Sequence, residues 1–136
     1  MKRESLLILL VSLALAIISL SIAGCITQET IDITAQEAFS LIQKNKDNPD
    51  FVIIDVRTPE EFVEGYLENA LNINFNSENF SANINKLDKD KTYLVYCRSG
   101  NRSGRAVSIM TDLGFKEVYD MGGITNWTTE GFPIVN

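Results

Sequence analysis

Histidine is absent from the 136 residues, and cysteine occurs twice. Without an imidazole the chain cannot assemble a Ser-His-Asp triad, a Cys-His pair or the zinc sites that use histidine. Any nucleophile it carries must therefore be activated by other means. Two cysteines are too few for a disulfide framework or a four-thiolate metal site. Positive charge is scarce as well: 12 Lys and Arg stand against 18 Asp and Glu, a formal net charge of -6. That balance argues against a nucleic-acid surface. No metal and no cofactor is expected, the length suits one domain, and nothing in the composition bears on oligomeric state.

What apolar residues there are cluster at one end. The mean hydropathy near zero conceals this, because 16 apolar residues fall within the first 24. Lys2 and Arg3 form a positive flank, Leu6 to Leu20 an apolar run broken only by Ser12 and Ser19, and small residues follow. This is the architecture of an export signal. Ile22-Ala23-Gly24-Cys25 resembles the lipobox of bacterial and archaeal lipoproteins, which implies a cleaved signal peptide at 1–24 and Cys25 as the lipidated mature N-terminus. An uncleaved signal anchor is the alternative, since the apolar stretch is nearly long enough to span a bilayer. Both readings place the remainder outside the cell membrane or in the periplasm, close to the bilayer.

Beyond Cys25 the composition is that of an acidic globular domain. Thr34 with Glu37 forms a capping box, and Ala35, Ala38, Phe39 and Ile42 repeat at helical spacing. Phe51 to Val56 is a short run rich in β-branched residues, expected of a strand buried on both faces and hence of a parallel sheet. Thr58-Pro59-Glu60-Glu61 starts a short helix ending at Gly65. Ala70 to Phe75 alternates cleanly and predicts a strand, Phe80, Ile84 and Leu87 a weak helical stripe, and Tyr93 to Tyr96 a further strand. Ser103 to Leu113 predicts a helix, Glu117 to Met121 a last strand, and Gly122-Gly123 a turn. The β-α alternation, without repeats or a linker, implies one α/β domain with a mostly parallel sheet.

The strand ending at Tyr96 runs into Cys97-Arg98-Ser99-Gly100-Asn101-Arg102-Ser103. Ligands of open parallel sheets bind at the carboxyl ends of strands, where a following helix aims backbone N–H groups at the loop. A free thiol is only roughly 3% thiolate at pH 7, and a helix N-terminus with two arginines raises that fraction. Cys97 can thus become a nucleophile without histidine, or it can be a small buried hydrophobe. A single unpaired thiol in an exported domain favours the first reading. Three N-x-Ser/Thr sequons, at Asn79, Asn101 and Asn126, are too short a pattern to carry meaning.

Asp55-Val56-Arg57 with Thr58-Pro59-Glu60-Glu61-Phe62, Gly65, Ala70-Leu71-Asn72-Ile73, Val95 to Ser103, and Gly122-Gly123-Ile124-Thr125-Asn126-Trp127 with Gly131-Phe132-Pro133 together resemble a single-domain rhodanese over residues 31–135. The resemblance implies a central, mostly parallel sheet flanked by helices on both faces. It further implies a thiosulfate or related sulfurtransferase: Cys97 as persulfide carrier, and Arg98, Ser99, Gly100, Asn101 and Arg102 as an anion cradle. A small-molecule sulfur donor and a thiol or cyanide acceptor would be the partners. Asp55 and Arg57 fall on the family's acidic and basic pair, serving either as an ion pair that shapes the loop's surroundings or as a substrate contact. Gly122-Gly123 and Trp127 are turn and packing features. The sequence departs from the family at Tyr66, where His is usual, and at Glu68-Asn69, where Pro-Gly is usual. Two other classes compete: a non-catalytic rhodanese-like relay module at the membrane, and a cysteine-based phosphatase or arsenate reductase. The latter needs arginine six residues after the cysteine, where this chain has Ser103.

Overall fold

Continuous apolar runs along two central strands, covered on both faces, organise the domain. The computed structural model describes residues 29–136; the expected signal segment 1–24 and Cys25 lie outside them. Among the described residues five strands alternate with five helices: β1 (Glu29–Asp32), α1 (Ala35–Lys44), β2 (Phe51–Asp55), α2 (Pro59–Val63), β3 (Leu71–Asn72), α3 (Phe80–Asn85), β4 (Thr92–Cys97), α4 (Asn101–Asp112), β5 (Glu117–Gly123) and α5 (Ile124–Thr129). The strands form one sheet in the order β1-β5-β4-β2-β3, and every pairing is parallel. No described helix is long and apolar enough to cross a membrane.

Successive side chains of a strand point to opposite faces, and β4 uses both. Tyr93, Val95 and Cys97 join a core completed by α3 and α4 through Phe80, Ile84, Ala106, Val107 and Met110. Leu94 and Tyr96 face the other layer, with Ala35 and Ala38 of α1 and Ile124 and Trp127 of α5. The expected sheet with helices on both faces is thus the observed one. Trp127 packs as expected: Phe39 and Phe132 stack at 4.5 Å between centroids, Trp127 lies 5.0 Å from Phe132, and its Nε1 donates to the Pro133 carbonyl at 2.9 Å.

Both capping boxes legible in the sequence form. Thr34 and Glu37 bond reciprocally at α1, as do Thr58 and Glu61 at α2, each satisfying N–H groups that the first helical turn leaves without partners. Three other expectations change. The strand expected over Ala70 to Phe75 contracts to Leu71–Asn72, because its neighbour β2 ends at Asp55. Ile73 and Phe75 do pack on the core, but Leu71, expected on their face, is 49% exposed. The helix expected from Ser103 begins two residues earlier at Asn101. Gly122-Gly123 is not a free turn but the end of β5, where the register against β4 shifts between Val95 and Tyr96.

The departure from the family pattern at Glu68-Asn69 has a local account. The Ala70 N–H donates to the Leu67 carbonyl at 3.0 Å, closing a turn whose third residue, Asn69, holds φ at 65°. Glycine adopts this left-handed conformation freely, and Asn tolerates it better than other side chains. Replacing Asn69 with Ala should therefore cost about 1 kcal/mol, whereas Asn69→Gly should leave stability at or near wild type. Urea unfolding midpoints distinguish the two, and equal stability of the Ala variant would refute the turn argument.

Candidate active site

Cys97 is the last residue of β4, at the carboxyl end of the sheet, and three loop residues separate it from α4. Gly100 reverses the chain: at φ 105° and ψ -17° it occupies backbone space that L residues avoid. Its N–H thereby turns back onto the Cys97 Sγ at 3.0 Å. On the other side the Ser103 Oγ lies 3.6 Å from the same sulfur. That hydroxyl also reaches the Gly100 carbonyl at 3.1 Å and the Gly122 carbonyl at 3.3 Å. It has one proton to donate. As a thiol, Cys97 donates to Ser103, which donates onward to a carbonyl; as a thiolate, the sulfur accepts from Ser103.

This hydrogen bonding favours the charged form of the sulfur. Cys97 is 1% exposed, and burial pushes its thiol up, but donation from the Ser103 N–H and hydroxyl and from the N–H groups of Gly100 and Ser99 outweighs that. The net position is below an ordinary thiol. A cysteine serving only as core filler has no need of an N–H directed at its sulfur, so burial here does not support that reading.

The expected cradle divides. Only Arg98, Ser99 and Gly100 form the loop, while Asn101 and Arg102 belong to the first turn of α4. Arg98 and Ser99 are exposed, and the Arg98 guanidinium joins no ion pair among the described residues. Arg102 is engaged elsewhere: its two terminal nitrogens donate to the Glu61 carboxylate at 2.6 and 2.8 Å. That pair ties α2 to α4 beside the loop. It holds the Glu61 carboxyl down at about 2, chiefly through the hydrogen bonds from Arg102.

Asp55 and Arg57 form the ion pair. The Arg57 Nε donates to both carboxylate oxygens at 3.0 Å and its Nη2 to Oδ2 at 2.6 Å. Nη2 also donates to the Gly65 carbonyl at 2.7 Å. Both residues are buried, so this pair braces the loop after α2 from inside. Tyr96 adds to the brace, its hydroxyl accepting the Leu67 N–H at 3.1 Å.

Sequence reasoning missed Ser103, Glu61 and the glycine pair as parts of this region. In the sequence Ser103 stands as a helix start and as the place where a phosphatase arginine is absent, with no sign that its hydroxyl meets the sulfur. A cavity of about 370 Å³ bounded by Phe39, Phe51, Leu67 and Trp127 holds none of the loop residues. It lies on the α1 side, and two of its asparagines, Asn45 and Asn48, bond within the chain. The hydrogen-bond donors that converge on a nucleophilic atom are instead those around the Cys97 sulfur.

Residues 34–130 match the family model described as the rhodanese-like domain. The chain belongs to that family. A relative from Allochromatium vinosum named a sulfurtransferase is 34% identical over 97 residues, covering 71% of this chain and 89% of its own length. A thiosulfate sulfurtransferase of Coxiella burnetii is 36% identical over 92 residues, covering 67% of this chain and 80% of its own length. Among solved rhodanese-like structures, a rhodanese-related protein from Thermoplasma volcanium superposes with a TM-score of 0.64 at 33% identity, covering 77% of this chain and 97% of that one.

The Glu61–Arg102 pair yields a pH dependence. Because the folded carboxyl sits below its ordinary 4.5, the pair's contribution is complete above about pH 4.5 and is lost as pH falls toward 2. A double-mutant cycle of Glu61→Gln and Arg102→Gln should give a coupling of about 1 kcal/mol at neutral pH. That coupling should fade toward zero in acid; one that is unchanged there would contradict the assignment.

Proposed function

We propose that the domain is a sulfurtransferase that carries a sulfane sulfur as a persulfide on Cys97. The observation that carries this reading is the Gly100 N–H at 3.0 Å from the Cys97 sulfur, joined by the Ser103 hydroxyl. These donors favour a thiolate in a chain that has no histidine to make one. Sulfurtransferase names among relatives about one-third identical point the same way.

With thiosulfate as donor, the thiolate attacks the outer sulfur. The sulfur–sulfur bond breaks and sulfite leaves with its electron pair. An acceptor thiolate or cyanide then attacks the outer sulfur of the persulfide, and the Cys97 thiolate departs with the bonding pair, ready for another cycle. Arg98, Ser99, Gly100, Asn101 and Arg102 form the anionic donor's surroundings in this reading. The exposed Arg98 supplies positive charge, while Arg102 is partly neutralised by Glu61. Asp55 and Arg57 act structurally. Cysteine-based phosphoryl transfer has less support: the sixth residue after Cys97 is Ser103, and its hydroxyl is spent on the sulfur and its flanking carbonyls.

Export and anchoring form part of the proposal. Lys2 and Arg3, the apolar run to Leu20 and the Ile22-Ala23-Gly24-Cys25 tetrapeptide support a lipid on Cys25 that holds the domain on the outer side of the membrane.

Incubated with thiosulfate, the protein should gain the mass of one sulfur atom on the Cys97 peptide, reversibly with cyanide. Cys97→Ser should show no gain and no turnover while keeping its thermal unfolding transition. Wild-type-like turnover in that variant would overturn the reading. In a bacterial host, Cys25→Ala should lose fatty-acid labelling; retained labelling would place any lipid elsewhere.

A further inference from the structure

The peptide between Arg98 and Ser99 is gripped from outside the loop. Its carbonyl oxygen, that of Arg98, accepts the Thr125 N–H at 3.3 Å and the Thr125 hydroxyl at 3.0 Å. Its flank rests on Gly123, which pairs in register with Cys97. A Cβ built on Gly123 would stand 2.6 Å from the Arg98 oxygen, 2.9 Å from the Ser99 Cα and 3.0 Å from the Thr125 Oγ1. Real Cβ contacts of that kind do not occur against backbone, so a side chain at 123 would displace the peptide.

The other threonines of α5 behave differently. The hydroxyl of Thr128 donates to carbonyls of its own helix, those of Ile124 and Thr125, and that of Thr129 does the same at Thr125. This is the usual fate of threonine within a helix. Thr125, in the first turn, sends its hydroxyl across to the loop instead.

We propose that Thr125 is a positioning residue for Cys97: with Gly123 beneath it, its hydroxyl fixes the plane of the Arg98–Ser99 peptide so that the Ser99 N–H faces the sulfur side of the loop. The direction follows from peptide geometry. No described peptide bond is cis, and in a trans peptide the N–H points opposite to the C=O. With the Arg98 carbonyl held toward Thr125, the Ser99 N–H turns inward, where the Gly100 N–H already meets the sulfur. The Ser99 N–H is among the groups that offset the upward pull of burial on the Cys97 thiol. The inference concerns thiol reactivity and rests on the sulfurtransferase reading only for what the thiol then does.

Two variants of the full chain test it. Thr125→Val removes the hydroxyl at nearly constant volume, and Thr125→Ser keeps it. The rate of Cys97 alkylation by iodoacetamide is followed on the Cys97 peptide by mass across the thiol's titration range. The Val variant should displace the rate profile to higher pH and slow alkylation at neutral pH roughly three- to tenfold, as expected when one hydrogen bond to a charged group weakens. The Ser variant should stay within about twofold of wild type, since it retains that bond. A Val profile that coincides with wild type overturns the proposal, and so does a Ser variant displaced as far as Val. If Thr125→Val does not fold, Thr125→Ala is measured against the same two outcomes. Sulfur uptake from thiosulfate, assayed in parallel, separates the two readings. A displaced Val profile, together with a wild type that takes up no sulfur, leaves the positioning role standing and removes the sulfurtransferase. Sulfur uptake with an undisplaced profile does the reverse.

Discussion

A negative sulfur enclosed by protein is tolerable only where hydrogen-bond donors already point at it, since desolvation otherwise returns the proton. Around Cys97 most of those donors are backbone N–H groups, whose directions are set by peptides rather than by side-chain rotamers. Gly100 turns one peptide through its positive φ. The end of β5 arranges the rest. At the register shift beside Tyr96, the Gly122 N–H is taken by the Asp120 carboxylate at 2.8 Å, leaving the Gly122 carbonyl to receive the Ser103 hydroxyl. The loop after β4 and the first turn of α4, which follow one another in sequence, thus converge on one atom, backed by the distant junction of β5 with α5.

The buried Asp55–Arg57 pair serves the same end from the neighbouring strand. A buried pair gains little stability on balance, but loss of either member leaves an uncompensated charge, so its value lies in fixing geometry. It holds the Gly65 carbonyl, while Asn72 bonds the carbonyls of Asp55 and Arg57 at 3.1 and 2.9 Å. The segment between α2 and β3 is thereby pinned to the carboxyl end of β2, next to the strand that presents Cys97.

Local signals in the sequence were those that a few adjacent residues decide. Thr34 with Glu37 and Thr58 with Glu61 announced their helices because a capping box is a local device. Phe51 to Asp55 announced a strand covered on both sides because every residue there is apolar until the last. What stayed hidden depended on partners far along the chain. β1 consists of Glu-Thr-Ile-Asp, with no apolar alternation to reveal it, and exists through pairing with β5. The length of β3 is set by where β2 stops. The thiol itself was legible from its place between strand and helix, whereas the helix boundary that carries Arg102 out of the loop was not, because Ser99 to Arg102 suits either state. Glu61 was visible as a cap but not as the partner of Arg102, which lies 41 residues away.

The parallel sheet also fixes which way the reactive end looks. Glu29 opens β1 in register with Glu117, which is in register with Thr92 at the start of β4. The chain therefore enters the sheet at its amino edge. Cys97 closes β4 at the carboxyl edge, and a six-residue strand spans about 20 Å. Under the proposed anchoring, a tether ahead of Glu29 would hold the molecule by one pole, with the sulfur at the opposite pole. Reactants arriving from open solution would then meet the loop directly, whereas groups embedded in the surface that bears the tether would be kept a strand's length away.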